Sequence, residues 1–472
     1  IEEVYINSLA NWLNIEFMDY HSNPITKAKQ FYFDNENITE LIIPDGCNKI
    51  PSYAFCGAKG ITSAIIPNSV KSIGAESFRD CSSLSTITFG DSVAFIGYDA
   101  FIGCDSLQRV EVTKLDVFFN EFHFGNDNAS PFSKAKNLFV NDEPISDVLV
   151  VPNTVEKISG GVFNGRGIIS LTIPNSVKVI GEKAFENCEK LTLVSFGNSV
   201  DSIGHRAFAN CNALESIELP NSLKTISSEA FLDCRSVSSL TFGNSLETIG
   251  ESAFRNCKLL ESISLPNTIT RIGASAFEEC DKVLTVTLGT RLKTIENSTF
   301  KYCRSLESIT IPNSVKEISS EAFYDCYKLA TVVLGDSIES IKQNAFGYIG
   351  NSNSESTKVY IPSLEWLFRV NIEEFQNDRL FRDIYIGQQP LTTITIPDNF
   401  TEAPILKLLY NSCISSLNTG NGLKILPEGI SRNITQVTLG SNVTKVEAEF
   451  PEAYIVLSNN ATPPIITEKT FP

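Results

Sequence analysis

The stretch LESITIPNSVKEISSEAFYDC, from Leu306 to Cys326, decides the fold, because close copies of it recur through most of the chain. Its phenylalanine belongs to a series with a spacing of 23 residues after one 22-residue step, and an earlier series has the same spacing: Phe163, Phe185, Phe208, Phe231, Phe254, Phe277, Phe300, Phe323 and Phe346, preceded by Phe55, Phe78 and Phe101. Fixed periods of this length are typical of stacked coils. We therefore expect function on an open surface rather than in a closed cleft.

Each copy contains one segment with the pattern of a strand. Ile309 and Ile311 alternate with Ser308 and Thr310, which is the two-residue period of a strand with one buried face. Stacked coils would join these strands into a parallel sheet, and the other apolar positions would fill the space behind it, namely Val315, Ile318, Ala322 and Phe323. The sequence thus predicts one short parallel strand per coil.

The residue that closes each strand alternates between proline and glycine. The order is Pro67 and Gly90, and later Pro174, Gly197, Pro220, Gly243, Pro266, Gly289, Pro312 and Gly335. Proline ends a strand because it lacks an N–H group, and we expect glycine to end it through its freedom in φ. The structural unit is then a pair of coils, and the step from Pro152 to Pro174 breaks the alternation.

The repeat resembles a known family in its full pattern. Cys303 and Leu306 precede Ile309, Ile311 and Pro312, and Val315, Ile318 and Ala322-Phe323 follow, as in the BspA-like leucine-rich repeats of bacterial cell-surface proteins. Ser314 stands where commoner leucine-rich repeats have a laddering asparagine, so we expect an irregular turn behind each coil. The resemblance implies a secreted or surface-anchored protein that binds host matrix or neighbouring cells.

The predicted fold class is an α/β repeat solenoid, a leucine-rich-repeat-like right-handed coil with irregular inserted helix–hairpin modules. The modules are indicated by two similar stretches, 4–44 and 110–152, and by a looser third that starts at Val359; Trp12 and Trp366 occupy the same place in the first and third. We expect five parts: a capping module (1–54), the first regular repeats (55–106), an inserted module (107–162), the main array (163–355) and irregular repeats with a cap (356–472).

The acidic composition limits the partners. With a net charge of -17, the chain is a poor match for nucleic acid, which requires clustered Lys and Arg. No apolar run reaches about 18 residues, so we expect no membrane insertion by this chain. The chain begins at Ile1 and contains one methionine, Met18, and we expect it to be part of a longer translation product with its signal or anchor elsewhere.

Neither the cysteines nor the histidines predict a chemical site. Nine cysteines follow the phenylalanine by three residues, as Cys326 follows Phe323, and we interpret them as buried free thiols that act as small apolar plugs. Cys47, Cys56 and Cys413 lie outside this ladder. No Cys-x-x-Cys pair or neighbouring histidine completes a metal site. We predict no catalytic residue, metal or cofactor, and we expect His21, His123 and His205 to be surface residues.

The outward positions of the strands are the candidate binding residues. In the main array they carry mostly hydroxyls, and a solvated sheet without function is the alternative interpretation. Arg109, Glu111 and Tyr360 interrupt this pattern on strands that enter the modules. The predicted binding residues are Arg109, Glu111, Thr172, Ser195, Glu218, Thr241, Ser264, Thr287, Thr310 and Tyr360.

These observations favour a non-catalytic, adhesin-like protein, extracellular or at the cell surface, with an extracellular protein or glycan as ligand. A rigid spacer that displays another domain is the first alternative, because aromatic anchors are absent from the hydroxyl positions of the main array. A polysaccharide lyase is a remote alternative, because such an enzyme gathers carboxylates with Arg or Lys on one face, whereas Glu218 is nearly alone there.

Overall fold

The computed structural model describes residues 1–120, 123–124, 130–161, 163–350, 356–373, 380–402, 413–428, 430, 433–448, 450, 453–457 and 465–466. The chain forms two units, Ile1–Arg235 and Ser236–Pro472. Both units are built from coils of parallel strands, which confirms the predicted repeat solenoid. In each regular coil a first strand of three or four residues is followed by a second strand of two residues.

In unit 1 the first strands and the module hairpins are Glu3–Ile6, Gln30–Phe33, Glu36–Asn37, Glu40–Ile42, Ser63–Ile66, Thr86–Phe89, Arg109–Val112, Asn137–Val140, Glu143–Pro144, Val148–Val150, Ser170–Thr172, Leu193–Ser195 and Ser216–Glu218. The second strands are Lys49–Ile50, Ser72–Ile73, Phe95–Ile96, His123–Phe124, Lys157–Ile158, Val179–Ile180, Ser202–Ile203 and Thr225–Ile226. Short α-helices span Leu9–Trp12, Leu115–Asn120 and Pro131–Lys134, and 3₁₀ turns span Tyr20–Ser22 and Pro24–Lys27.

In unit 2 the first strands and the module hairpin are Ser239–Thr241, Ser262–Ser264, Thr285–Thr287, Ser308–Thr310, Thr331–Val333, Lys358–Ile361, Asp383–Ile386, Gln389–Pro390, Thr393–Thr395, Ser416–Asn418, Gln436–Leu439 and Tyr454–Leu457. The second strands are Thr248–Ile249, Arg271–Ile272, Thr294–Ile295, Glu317–Ile318, Ser340–Ile341, Asn371–Ile372, Ile425–Leu426, Lys445–Val446 and Ile465–Ile466. One α-helix spans Leu364–Arg369.

The phenylalanine series forms the core of each unit. Phe185 stacks on Phe208 with ring centroids 5.3 Å apart, and in unit 2 Phe277 stacks on Phe300 at 5.7 Å, nearly parallel. Phe119, which the sequence series does not include, lies 5.0 Å from Phe163 and so extends the stack at the junction. Rings at this offset gain dispersion contacts along the whole stack. The predicted burial of the series is confirmed.

The second strand of each coil is a feature that the sequence analysis did not predict. Glu317 and Ile318 pair in parallel with Ser340 and Ile341 of the next coil. The isoleucine is buried, whereas the residue before it points outward. Two residues are too few for an alternating pattern to be recognised. Behind them the chain turns without a helix, as the departure from the commoner repeat predicts.

The irregular stretches contain short helices and antiparallel pairs. Tyr32 pairs with Asn37, and Phe139 pairs with Pro144 across a two-residue turn. In the first stretch the indole of Trp12 is buried and donates a hydrogen bond of 2.9 Å to the carbonyl of Ala54, which fastens the helix to the following coil. The division into five parts with inserted modules stays a prediction.

Glycine closes the strands for a different reason from the one expected. None of the glycines that close the strands and are described, for example Gly197, has a left-handed φ. Instead, a Cβ at Gly197 would lie 2.3 Å from the carbonyl oxygen of Pro174, and at Gly335 it would lie 2.7 Å from that of Pro312. Glycine is therefore needed because the preceding coil approaches too closely for any side chain.

An asparagine ladder accompanies this close approach. The side-chain oxygen of Asn175 accepts a hydrogen bond of 2.7 Å from the backbone N–H of Asn198, one coil later. Asn313 accepts one of 3.0 Å from Asp336 in the same way. Asparagine thus ladders one position before the serine at which the sequence analysis found it missing.

The cysteine ladder has a polar role as well as an apolar one. All twelve cysteines of the chain are free thiols. The thiol of Cys211 donates to the carbonyl oxygen of Phe185 at 3.3 Å, and Cys326 contacts Phe300 in the same way. A buried carbonyl would otherwise lack a partner. Burial raises the pKa of Cys188 and Cys234 to about 12.

Replacing Gly197 by alanine is expected to lower the free energy of unfolding by about 1–3 kcal/mol, because the new Cβ overpacks against Pro174. Gly167→Ala is the matched control, since its Cβ would meet nothing closer than Cδ of Lys190 at 4.0 Å. Urea unfolding followed by circular dichroism measures both variants. Equal stability of the two would contradict the steric role of Gly197.

The cysteine ladder predicts slow thiol labelling and loss of stability at alkaline pH. At neutral pH a maleimide should label Cys47 and Cys413 readily and the ten buried cysteines only after denaturation. Because the pKa of each ladder thiol is higher in the folded chain, its contribution is complete below about pH 9 and declines by about 1.4 kcal/mol per pH unit above it, until the folded pKa is reached. Urea midpoints measured from pH 8 to 10.5 test this, and a flat profile would show that the thiols are not buried.

Candidate binding surface

The outward side chains of the first strands form rows that run from coil to coil. In unit 1 strand pairing places Ile42, Ile65, Thr88, Glu111 and Phe139 side by side in one row. The side chain of Ile42 is 57% exposed and that of Ile65 38%. This row is therefore apolar at one end, charged near the other, and aromatic where it meets the irregular stretch.

Arg109 and Glu111, two predicted binding residues, contact each other. Nη2 of Arg109 lies 2.9 Å from Oε2 of Glu111 and 2.6 Å from Oδ1 of Asp142. The guanidinium also stacks on Phe139, with its carbon 3.7 Å from the ring centroid. This half-buried cluster neutralises its own charges and holds the aromatic ring in place.

The remaining predicted residues of unit 1 are exposed on neighbouring strands. Thr172 pairs with Val150 on one side and with Ser195 on the other. Val150 and Leu193 are more than half exposed, so this part of the face is less polar than its hydroxyls suggest. Glu218 is exposed on the next strand.

In unit 2 the predicted residues form a row that ends in two tyrosines. Ser264 pairs with Thr287, and Thr310 pairs with Val333. Val333 in turn pairs with Tyr360, and Tyr360 with a residue that the sequence analysis missed, Tyr385. We call these residues the Tyr360 row: Ser264, Thr287, Thr310, Val333, Tyr360 and Tyr385. Thr241 is exposed on the strand at the start of unit 2.

The tyrosines of this row form a stacked pair with charged neighbours. Their ring centroids are 5.1 Å apart and their planes differ by 28°. Lys358 and Asp383 pair beside them on the same two strands. The carboxylate of Asp383 accepts hydrogen bonds from Ser356 and from the thiol of Cys413, and the second of these raises the pKa of Cys413 to about 11.

The same arrangement occurs at the first irregular stretch. Tyr5 pairs with Tyr32, and their rings stack at 4.5 Å with planes 9° apart. Tyr32, Phe139 and Tyr385 all precede by one residue the last residue of a strand that enters a hairpin. The signal that could have revealed Tyr32 and Tyr385 is this shared position in the repeated stretches.

The part of the chain that the structure describes contains no group of three or more side chains able to bind a metal ion. Nδ1 of His205 contacts the carbonyl of Ser228 at 2.9 Å, His21 packs against Tyr20, and the side chain of His123 lies outside the described residues. None of the described helices is long and apolar enough to span a bilayer. The described surface therefore offers aromatic and hydroxyl contacts rather than an assembled reaction centre.

Comparison with known proteins agrees with the repeat pattern. The family model described as the BspA type leucine rich repeat region matches in six copies over residues 3–130, 135–261 and 224–353. No curated protein matches the chain.

Several solved structures are similar. A leucine-rich repeat protein of T. pallidum is 33% identical, with 36% of this chain and 81% of that chain covered and a TM-score of 0.34. One from Bacteroides ovatus is 26% identical, covering 71% and 91%, with a TM-score of 0.42. A leucine rich cell surface protein of Faecalibacterium prausnitzii is 23% identical, covering 68% and 90%, with a TM-score of 0.36.

Proposed function

The chain belongs to the BspA-type leucine-rich repeat family, and from this premise we propose that it is a non-catalytic, adhesin-like protein. It acts outside the cell or at the cell surface, and it binds a protein or glycan of a host or of a neighbouring cell. The binding residues lie on the outward faces of the first strands, where the aromatic and charged clusters interrupt the hydroxyl rows.

The observation that carries this proposal is the Tyr360 row. Tyrosine concentrates binding energy because one rigid side chain supplies both an apolar ring and a hydroxyl group. Tyr360 and Tyr385 are half-buried and stack on each other, so little side-chain entropy remains to be lost on binding. Thr287 and Thr310 add hydroxyl groups along the same face.

The spacer alternative rested on the absence of aromatic anchors from the hydroxyl positions. The aromatic residues instead occupy the irregular stretches, as the pairs Tyr5–Tyr32 and Tyr360–Tyr385 and as Phe139 beneath Arg109. A spacer needs no aromatic side chain at the same position of each irregular stretch, so this distribution favours binding. It also supports treating the segments 1–54, 107–162 and 356–472 as the distinctive parts of the chain.

A lyase is not proposed. Arg109 is the basic group of the first-strand face that lies nearest to carboxylates, and it is already paired with Glu111 and Asp142. A lyase would need such a group free to contact an acidic sugar. Glu218 lies on a different strand, away from this cluster in the pairing order.

The double substitution Tyr360→Ala and Tyr385→Ala is expected to weaken binding at least about tenfold, because truncated tyrosine hot spots typically cost 2 kcal/mol or more. The whole chain is first tested against immobilised matrix proteins, mucins and glycans by surface plasmon resonance, and the double variant is then tested on each ligand found.

Tyr327→Ala is the matched control, since Tyr327 is also exposed in unit 2 but lies outside the first strands. It should leave the affinity unchanged. Failure of the whole chain to bind anything on the panel would favour the spacer. Equal binding by the double variant and the control would remove the Tyr360 row from the proposal.

A further inference from the structure

Arg166 carries a guanidinium group that the protein satisfies only in part. The residue lies in the turn between Phe163 and Ile168, and its Nη1 donates a hydrogen bond of 2.7 Å to the carbonyl of Ala135. Its Nε and Nη2 are buried and have no hydrogen-bond partner in the protein. The bond to Ala135 fixes the plane of the group, so the unpaired edge has a defined direction.

An unpaired guanidinium edge is costly in a buried place. Burial disfavours the charged form and lowers the pKa of Arg166 to about 10. The group is still protonated at neutral pH, since that pKa lies well above 7. Buried charges are normally paired and hydrogen-bonded, because desolvation without compensation costs several kcal/mol. Each of the other arginines described in unit 1 with a printed ion pair has a carboxylate partner, as Arg206 has in Glu186.

This edge belongs to a cavity. Arg166 lines a space of about 310 Å³ between the hairpin of residues 137–144 and the turn at 165–168. Lys136, Asn137 and Ser146 contribute polar groups to its wall, and Asp147 contributes a carboxylate. The volume is at the small end of the range for ligand pockets, which suits one small ring rather than an extended chain.

The chemistry of the wall defines the ligand. Nε and Nη2 of arginine form a planar fork that matches the two oxygens of a carboxylate. Asp147 would repel a ligand that is anionic all round but would accept hydrogen bonds from hydroxyl groups. A sugar acid meets both requirements, because one ring carries a carboxylate and several hydroxyls.

We propose that this cavity binds a hexuronate ring, with the sugar carboxylate on the Nε–Nη2 edge of Arg166 and ring hydroxyls toward Asp147. This site goes beyond the proposed function, because Arg166 lies in unit 1 and contributes nothing to the Tyr360 row. It adds an acidic-sugar specificity that the outward strand faces do not provide.

The test is calorimetric titration of the whole chain with a tetrasaccharide of alternating glucuronate and N-acetylglucosamine. The carboxyl-reduced tetrasaccharide is the matched ligand, and it is expected to bind at least about tenfold more weakly because it cannot form the charged bidentate contact. Arg166→Lys should also lose about tenfold or more, since lysine keeps the charge but lacks the fork. Arg235→Lys, an exposed arginine paired with Asp233, should bind normally.

Arg166→Met separates binding from folding. It removes an uncompensated buried charge, so its melting temperature should equal or exceed that of the parent while binding is lost. The Tyr360→Ala, Tyr385→Ala variant should retain hexuronate binding, which keeps this test independent of the proposed surface. Three results would overturn the proposal: equal binding of both tetrasaccharides, full binding by Arg166→Lys, or tighter binding of a hexaglutamate peptide than of the sugar.

Discussion

Hydrogen bonding between successive coils is the constraint on which the structure of each unit depends. The N–H of Phe185 donates to the carbonyl of Ala207 at 2.8 Å, and that of Phe208 donates to Ala230 in the same way. A coil cannot satisfy these groups alone, and a buried unpaired peptide group is costly. The coils must therefore superpose closely, and stacked phenylalanines, strand-closing glycines and laddered thiols are the side chains compatible with that distance.

The sequence was sufficient to predict this arrangement where a pattern is longer than one element. The 23-residue return of phenylalanine and the alternation around Ile309 predicted the coil, its first strand and its core. It was not sufficient where a role depends on a neighbouring coil. Gly197 reads as a turn glycine, yet it is required because Pro174 approaches it. Asn313 reads as a turn residue, yet it holds Asp336 of the next coil.

The binding surface shows the same division. Strand alternation predicted that Thr287 and Thr310 face outward, and they do lie on one face. Tyr385 and Phe139 were missed because their rows depend on pairing between strands about 25 to 30 residues apart across irregular sequence. Arg166 was missed because nothing in its local sequence reveals an unpaired guanidinium edge. Such a feature arises only from what the fold leaves uncompensated around it.

The buried thiols have a consequence for how the chain matures. Before folding, all twelve are open to oxidants, and a cross-link between any two would prevent coils from closing in their proper order. Stacked coils can nucleate at several places and grow by adding neighbours, so each thiol is sheltered as soon as its own coil closes. Maturation in an oxidising compartment is thus a race between local closure and disulfide formation, and short-range contacts favour closure.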